Sequence, residues 1–186
     1  MSDRVRFVFD PKASHLRLHA FASGLASVVA HSPKFAIQDF SGEASYAQGT
    51  MGQPSLKITM KAGSLALQDE VTEQERREIF RITYDEVLEI RSYPEITYES
   101  SQISLSKISE NTYGSTILGM LRLHGVSNAH NFNAQLVIGE ESIRAYGDFT
   151  IKQTDYGIRI ASVGGGTLKM RDEIKITYFI IAQRAG

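Results

Sequence analysis

A chain of 186 residues is long enough for one domain with a sizeable core, and its hydrophobic (42%) and charged (22%) fractions are those of an ordinary globular protein. The formal net charge of −1 excludes a global attraction to nucleic acid or to an anionic membrane surface. With no cysteine, disulfides, thiolate catalysis and Cys-ligated zinc are excluded as well.

In chain order, residues 4–10 set Val5, Phe7 and Phe9 on one face against Arg4, Arg6 and Val8 on the other, and predict a strand ending at Asp10-Pro11. Residues 16–23 alternate again, His15, Arg17, His19 and Phe21 opposing Leu16, Leu18, Ala20 and Ala22. The apolar run 20–30 is shorter than the about 20 residues that a membrane span needs. It lies behind Asp3, Asp10 and Pro11, late for a secretion signal, and reads as a buried strand bent at Gly24. The expected location is cytoplasmic, or periplasmic if a leader has been removed. Residues 35–46 predict a long extended segment with a bulge or bend at Gly42. A hairpin loop at 48–54 leads to a return strand, 55–61, with Leu56, Ile58 and Met60 on one side.

The stretch 73–98 is the one long segment with helical periodicity. Phe80, Tyr84, Val87 and Leu88 fall at i, i+4, i+7 and i+8 as a single apolar stripe, with Glu75, Arg76, Glu78, Glu86 and Glu89 mostly on the other faces. Thr72 with Glu75 predicts a capping box, its acidic residues in the first turn where the helix dipole favours them. Pro94 drives Tyr93 out of the helical region, and Ile96-Thr97-Tyr98 opens a strand. A lone amphipathic helix among strands needs an apolar surface to cover, and the open end or flank of a β-barrel supplies one.

Residues 95–106, 115–123, 129–138, 142–151 and 173–182 then read as strands joined by short turns such as Glu110-Asn111 and Gly139-Glu140. The connection 153–169, with Gly164-Gly165-Gly166, reads as a mobile loop. Strands at a spacing of roughly 10–12 residues predict an all-β sandwich or barrel, and closure explains how so many strands avoid exposed edges. No linker or repeat interrupts the chain, so residues 1–186 are read as a single domain.

Catalytic patterns are missing from the sequence. There is no G-x-S-x-G elbow, Asp69-Glu70 and Asp85-Glu86 read as solvated surface, and the triple glycine lacks the Gly-Lys-Ser/Thr sequel of a phosphate loop. His15 and His19 share a strand face about 13 Å apart, too far to chelate one ion together. His124 and His130 flank the turn 125–129, where they would oppose each other across a hairpin. Solvated hairpin histidines are the expectation there over metal ligands. His31, just before Ser32-Pro33, is placed at the rim or inside the barrel, as a satisfied buried histidine or as a ligand contact. The expectation is a protein without catalytic residues, metal or cofactor, and without a nucleic-acid platform. An eight-stranded closed sheet has room for side chains or for one small ligand. Composition leaves both open, and a filled barrel would instead be a non-enzymatic protein-interaction module.

Several elements, in order, resemble the YceI-like family of polyisoprenoid-binding proteins. The opening F-V-F-D-P-K-A-S-H (7–15) is similar to the family's x-I-D-P-x-H-S, and R-S-Y-P-E-I-T-Y-E-S-S (91–101) to its K-Y-P-x-I-x-F-x-S. G-M-L-R-L-H-G-V-S (119–127), F-T-I-K-Q-T-D-Y-G-I (149–158) and D-E-I-K-I-T-Y (172–178) resemble G-x-L-T-I-x-G-V-T, x-I-x-R-S-D-F-G-I and D-E-V-x-I-x-I. Residues 28–42, with His31-Ser32-Pro33, depart from the relatives' G-x-F-x-x-F-x-G. The resemblance implies an all-β fold, an antiparallel eight-stranded lipocalin-like barrel capped by one amphipathic helix. It also implies a long amphiphilic or isoprenoid-type lipid in the lumen, and a homodimer. Within such a barrel Phe35, Phe40, Phe80, Tyr84, Phe132 and Phe149 are the expected wall contacts, and His31 and Arg122 the expected head-group contacts.

Overall fold

The structure is a computed structural model, described here for residues 4–23, 32–163, 166 and 168–186. Alternation becomes strand throughout. The first seven elements are β1 (Arg4–Phe9), β2 (His15–Ser23), β3 (Lys34–Ile37), β4 (Phe40–Ala47), β5 (Gly52–Lys61), β6 (Leu65–Leu67) and the helix α1 (Glu73–Arg81), which continues as a π-helical turn over Ile82–Val87. After it come β7 (Glu95–Ser109), β8 (Thr112–Leu123), β9 (Val126–Ala129), β10 (Phe132–Ile138), β11 (Ser142–Lys152), a 3-10 turn (Gln153–Tyr156), β12 (Ser162–Val163) and β13 (Leu168–Arg184). The order β1-β4-β5-β7-β8-β10-β11-β13, closed by β13 pairing back to β1, is an eight-stranded antiparallel barrel. Closure leaves none of these eight strands at an edge of the barrel.

Three breaks shape the lower part of the barrel. β13 pairs with β1 through Phe7↔Arg184 and Phe9↔Ala182, and farther along with β2 through His15↔Phe179 to Ser23↔Lys169. β1 and β2 are thus one long strand interrupted by the turn at 10–14. The Ser14 hydroxyl, accepting from the Ile181 N–H at 2.9 Å, pins that turn to β13. β3 and β4 are interrupted at Gln38-Asp39, and β5 and β6 at 62–64. These two breaks lie together, because the Asp39 N–H donates to Ser64 Oγ (3.1 Å) and the Gln38 N–H to the Ser64 carbonyl (3.0 Å). Beyond them β2, β3 and β6 run on as an extension of the wall that leaves β6 as an edge.

The helix closes that edge. Its start is the predicted capping box: the Glu75 N–H donates to Thr72 Oγ1, and the Thr72 N–H to Glu75 Oε2. The Tyr84 hydroxyl accepts from the Leu65 N–H at 3.1 Å and reaches the Gly63 and Leu65 carbonyls at 3.1 and 3.2 Å. One phenol therefore occupies backbone groups that an edge strand leaves unpaired. Tyr84→Phe is expected to cost about 1–2 kcal/mol, since those groups lose their partner. Urea unfolding measures this, and a loss below about 0.3 kcal/mol would mean that water replaces the hydroxyl without penalty.

Two sequence expectations are corrected. No bulge occurs at Gly42, because β4 and β5 stay in register from Phe40↔Met60 to Ser45↔Ser55. Gly42 is required for space: a Cβ there would fall 2.4 Å from the Phe9 ring. The short strand β6 was not expected at all. The buried strand bent at Gly24 falls partly outside the described residues, which include only its first part, with Ala20 and Ala22 buried on β2. Gly164 and Gly165 also lie outside them. Among the described residues no helix is long and apolar enough to cross a membrane.

Candidate ligand-binding site

The barrel interior is hollow. A cavity of about 610 Å³ runs between the sheet walls, and α1 forms its floor. Because side chains alternate along a strand, one parity of each strand lines it. Ile138, Ile143 and Ala182 stand at one end, Ile117, Phe132 and Phe149 midway, and Met170 and Ile158 near the helix. The helix contributes Ile79, Ile82, Thr83, Val87 and Leu88.

Midway down, five rings share one wall. Phe132 lies 5.2 Å from Tyr98, 5.1 Å from Phe149 and 5.9 Å from Tyr178, and His130 stands 4.8 Å from Phe149. Two glycines make this arrangement possible. A Cβ on Gly119 would fall 2.5 Å from the Tyr98 hydroxyl, and one on Gly147 2.5 Å from the Tyr178 hydroxyl. The tyrosines therefore lie flat on the wall, and their hydroxyls donate to the carbonyls of His130 (3.1 Å) and Asn133 (2.7 Å). Burial pushes the Tyr98 phenol up to about 12 and raises that of Tyr178, so both remain donors at neutral pH.

Of the expected wall contacts, Phe35, Phe40, Phe132 and Phe149 line the cavity. Phe80 and Tyr84 do not. Phe80 packs edge-on against Phe35 (6.1 Å) and beside Tyr84 (5.2 Å), while Ile79, Ile82 and Thr83 take the lumenal face. The cause is the π turn, in which the Leu88 N–H reaches back five residues to Thr83, so a stripe counted at 3.6 residues per turn loses phase. Glu75 and Glu78, expected on the solvated faces, border the cavity at its helix end.

Arg122 is corrected. On β8 the odd positions Ile117, Leu121 and Leu123 are buried, and Arg122 stands exposed on the outer wall, away from any lumenal head group. His31 lies outside the described residues.

The two hairpin histidines do not oppose each other. Leu123↔Val126 closes the β8–β9 turn, so His124 sits in the turn while His130 comes level with Gly119. Nor is His124 solvated: its side chain is 9% exposed, with Nε2 2.6 Å from Glu89 Oε2 and Nδ1 3.3 Å from the Tyr156 carbonyl. It ties the end of the helical lid to the β8–β9 turn and the 3-10 turn. His130 was missed as a lumen residue. Its even number, shared with Phe132, Ala134, Leu136 and Ile138 on the inner face, was the available signal. The His15 ring lies 6.4 Å from that of Phe179 and the His19 ring 4.1 Å from that of Phe21, and no group of metal-ligating side chains occurs among the described residues.

Solved structures share this architecture. BcnA of Burkholderia cenocepacia superposes with a TM-score of 0.70 at 16% identity, covering 94% of this chain and 99% of its own. A polyisoprenoid binding domain from Saccharophagus degradans, implicated in plant cell wall breakdown, gives 0.66 at 13% identity over 96% and 98%. The Campylobacter jejuni YceI protein gives 0.58 at 16% identity over 81% and 83%. At these identities the likeness is one of fold. No curated protein sequence matches the chain. Residues 7–182 match the YceI-like domain, and the chain belongs to that family.

Proposed function

We propose that the protein binds a long-chain lipid of isoprenoid type inside the barrel, to carry, store or sequester it. The hollow apolar lumen carries this reading. Its volume of about 610 Å³ is within the range of ligand pockets and far beyond a packing defect. Water fits such walls poorly because a lumenal water needs two or more polar partners. A long apolar chain satisfies them through the hydrophobic effect.

A filled barrel acting only as a protein-interaction module loses its premise, since the interior is not filled. Family membership and the polyisoprenoid binding domain among the structural neighbours support the lipid reading. Binding is favoured over catalysis because the lumenal tyrosines spend their hydroxyls on backbone carbonyls, and Gln153 spends its amide on the Arg171 carbonyl (2.9 Å). Titration with a fluorescent polyene fatty chain tests the proposal. One saturable site per chain is expected, and no saturable binding would overturn it.

A further inference from the structure

Among the described residues, two buried side-chain polar atoms have no hydrogen-bond partner: Nε2 of His19 and Nε2 of His130. His19 stacks on Phe21 outside the lumen. His130 lines the lumen among Phe149, Phe132 and Tyr98. Its backbone is fully used, the N–H donating to the Gly119 carbonyl (2.9 Å) and the carbonyl accepting from Tyr98. The backbone is thus held on both sides, and Nε2 is left without a partner where the ring packs beside Phe132 and Phe149 in a largely apolar wall. Buried polar groups are nearly always paired, so an orphan at a cavity wall marks the place of a missing partner.

We propose that His130 Nε2 is the seat for the single polar group of the lumenal ligand, an uncharged oxygen such as a prenyl hydroxyl or a ring carbonyl. This rests on the lipid reading above and adds where and how the ligand's polar atom is held. The absence of charge follows from the surroundings. Charged groups on the described lining are Lys61, Glu75 and Glu78, all at the helix end. Lys61 pairs with Glu95, and Glu78 lies 2.7 Å from Arg81. A diphosphate or carboxylate beside His130 would be buried without a cation. On its other side His130 borders a shallow polar pocket with Lys152, Asp155 and Glu173, two carboxylates to one ammonium, which repels an anion as well. Burial lowers the imidazole's pKa, so the ring is neutral near pH 7 and offers Nε2 either as an N–H to a carbonyl or as a lone pair to a hydroxyl.

The test compares geranylgeraniol, the matching hydrocarbon without oxygen, and geranylgeranyl diphosphate, in the wild type and in His130→Leu. In the wild type the alcohol is expected to bind about tenfold tighter than the hydrocarbon, and the diphosphate no better than the alcohol. In His130→Leu that preference should vanish while hydrocarbon affinity holds. A preference that survives His130→Leu, or a diphosphate favoured over the alcohol, overturns the assignment but leaves lipid binding standing. Binding of none of the three overturns both. Should His130→Leu fold poorly, the imidazole nitrogen resonances of the wild type decide. They are expected to shift with the alcohol and not with the hydrocarbon, and equal shifts with both would sink the proposal.

Discussion

Phe7→Ala is expected to lower stability by about 3–5 kcal/mol, the largest effect of any single truncation in this barrel. Phe7 is the largest side chain among the described residues with no exposed surface, and its ring stacks on Tyr46 at 5.8 Å. It stands on β1, the strand that closes the barrel, opposite Ala44 on β4 and Arg184 on β13. Alanine on the facing strand gives the ring room but cannot fill the space it would leave. The lost contacts all lie on the seam, so cavity cost and loss of closure fall on the same place. Urea unfolding should show the midpoint falling with little change in slope. A loss under about 1 kcal/mol would mean that the seam is held mainly by its backbone ladder.

Ala145→Trp is expected to reduce affinity for a long-chain probe at least tenfold without destabilising the fold by more than about 1 kcal/mol. Ala145 sits on the inner face of β11, between Leu136 on β10 and Ile180 on β13, and lines the cavity. In a packed core an indole there would force neighbouring side chains off their rotamers. Here it enters empty space, so steric cost is small and the volume open to a ligand shrinks. Tyr146→Ala, one residue on and facing outward, is the matched control and should leave binding unchanged. Binding that survives Ala145→Trp would place the ligand outside the lumen.

Much of this fold is written as alternation. Period-two patterning gave every strand of the closed barrel, because each wall has one apolar and one solvated face. The helix start was legible in Thr72 and Glu75, because the capping box joins residues only three apart in sequence. What the pattern hid depends on geometry that sequence spacing does not carry. Phe80 and Tyr84 look like the helix's inner face only if the helix stays α-helical; with the π turn at Ile82–Val87, Tyr84 lies against the β6 edge and Phe80 beside Phe35 of β3. Gly42 looks like a bulge because glycine often marks one, whereas the ladder is unbroken there and the glycine makes room for the Phe9 ring. Three residues, Leu65-Ala66-Leu67, are too few to show a period, so β6 was invisible.

The site was partly legible by the same rule. Phe35, Phe40, Phe132 and Phe149 fall on inward parities. Arg122 and His130 were open to the identical test: Arg122 alternates with buried Leu121 and Leu123, and His130 continues the inward series of Phe132 and Ala134. Parity would have exchanged their roles. The association of His124 with Glu89 had no such signal, because it joins a turn to a helix end 35 residues away.

Whether the lumen is occupied is read from native mass spectrometry of the gently purified protein, followed by organic extraction of whatever is released. An occupied lumen gives a discrete adduct on the chain mass that extracts as a long-chain, neutral, oxygen-bearing lipid. A mass equal to the bare chain, under conditions that keep a lipocalin control loaded, would contradict it.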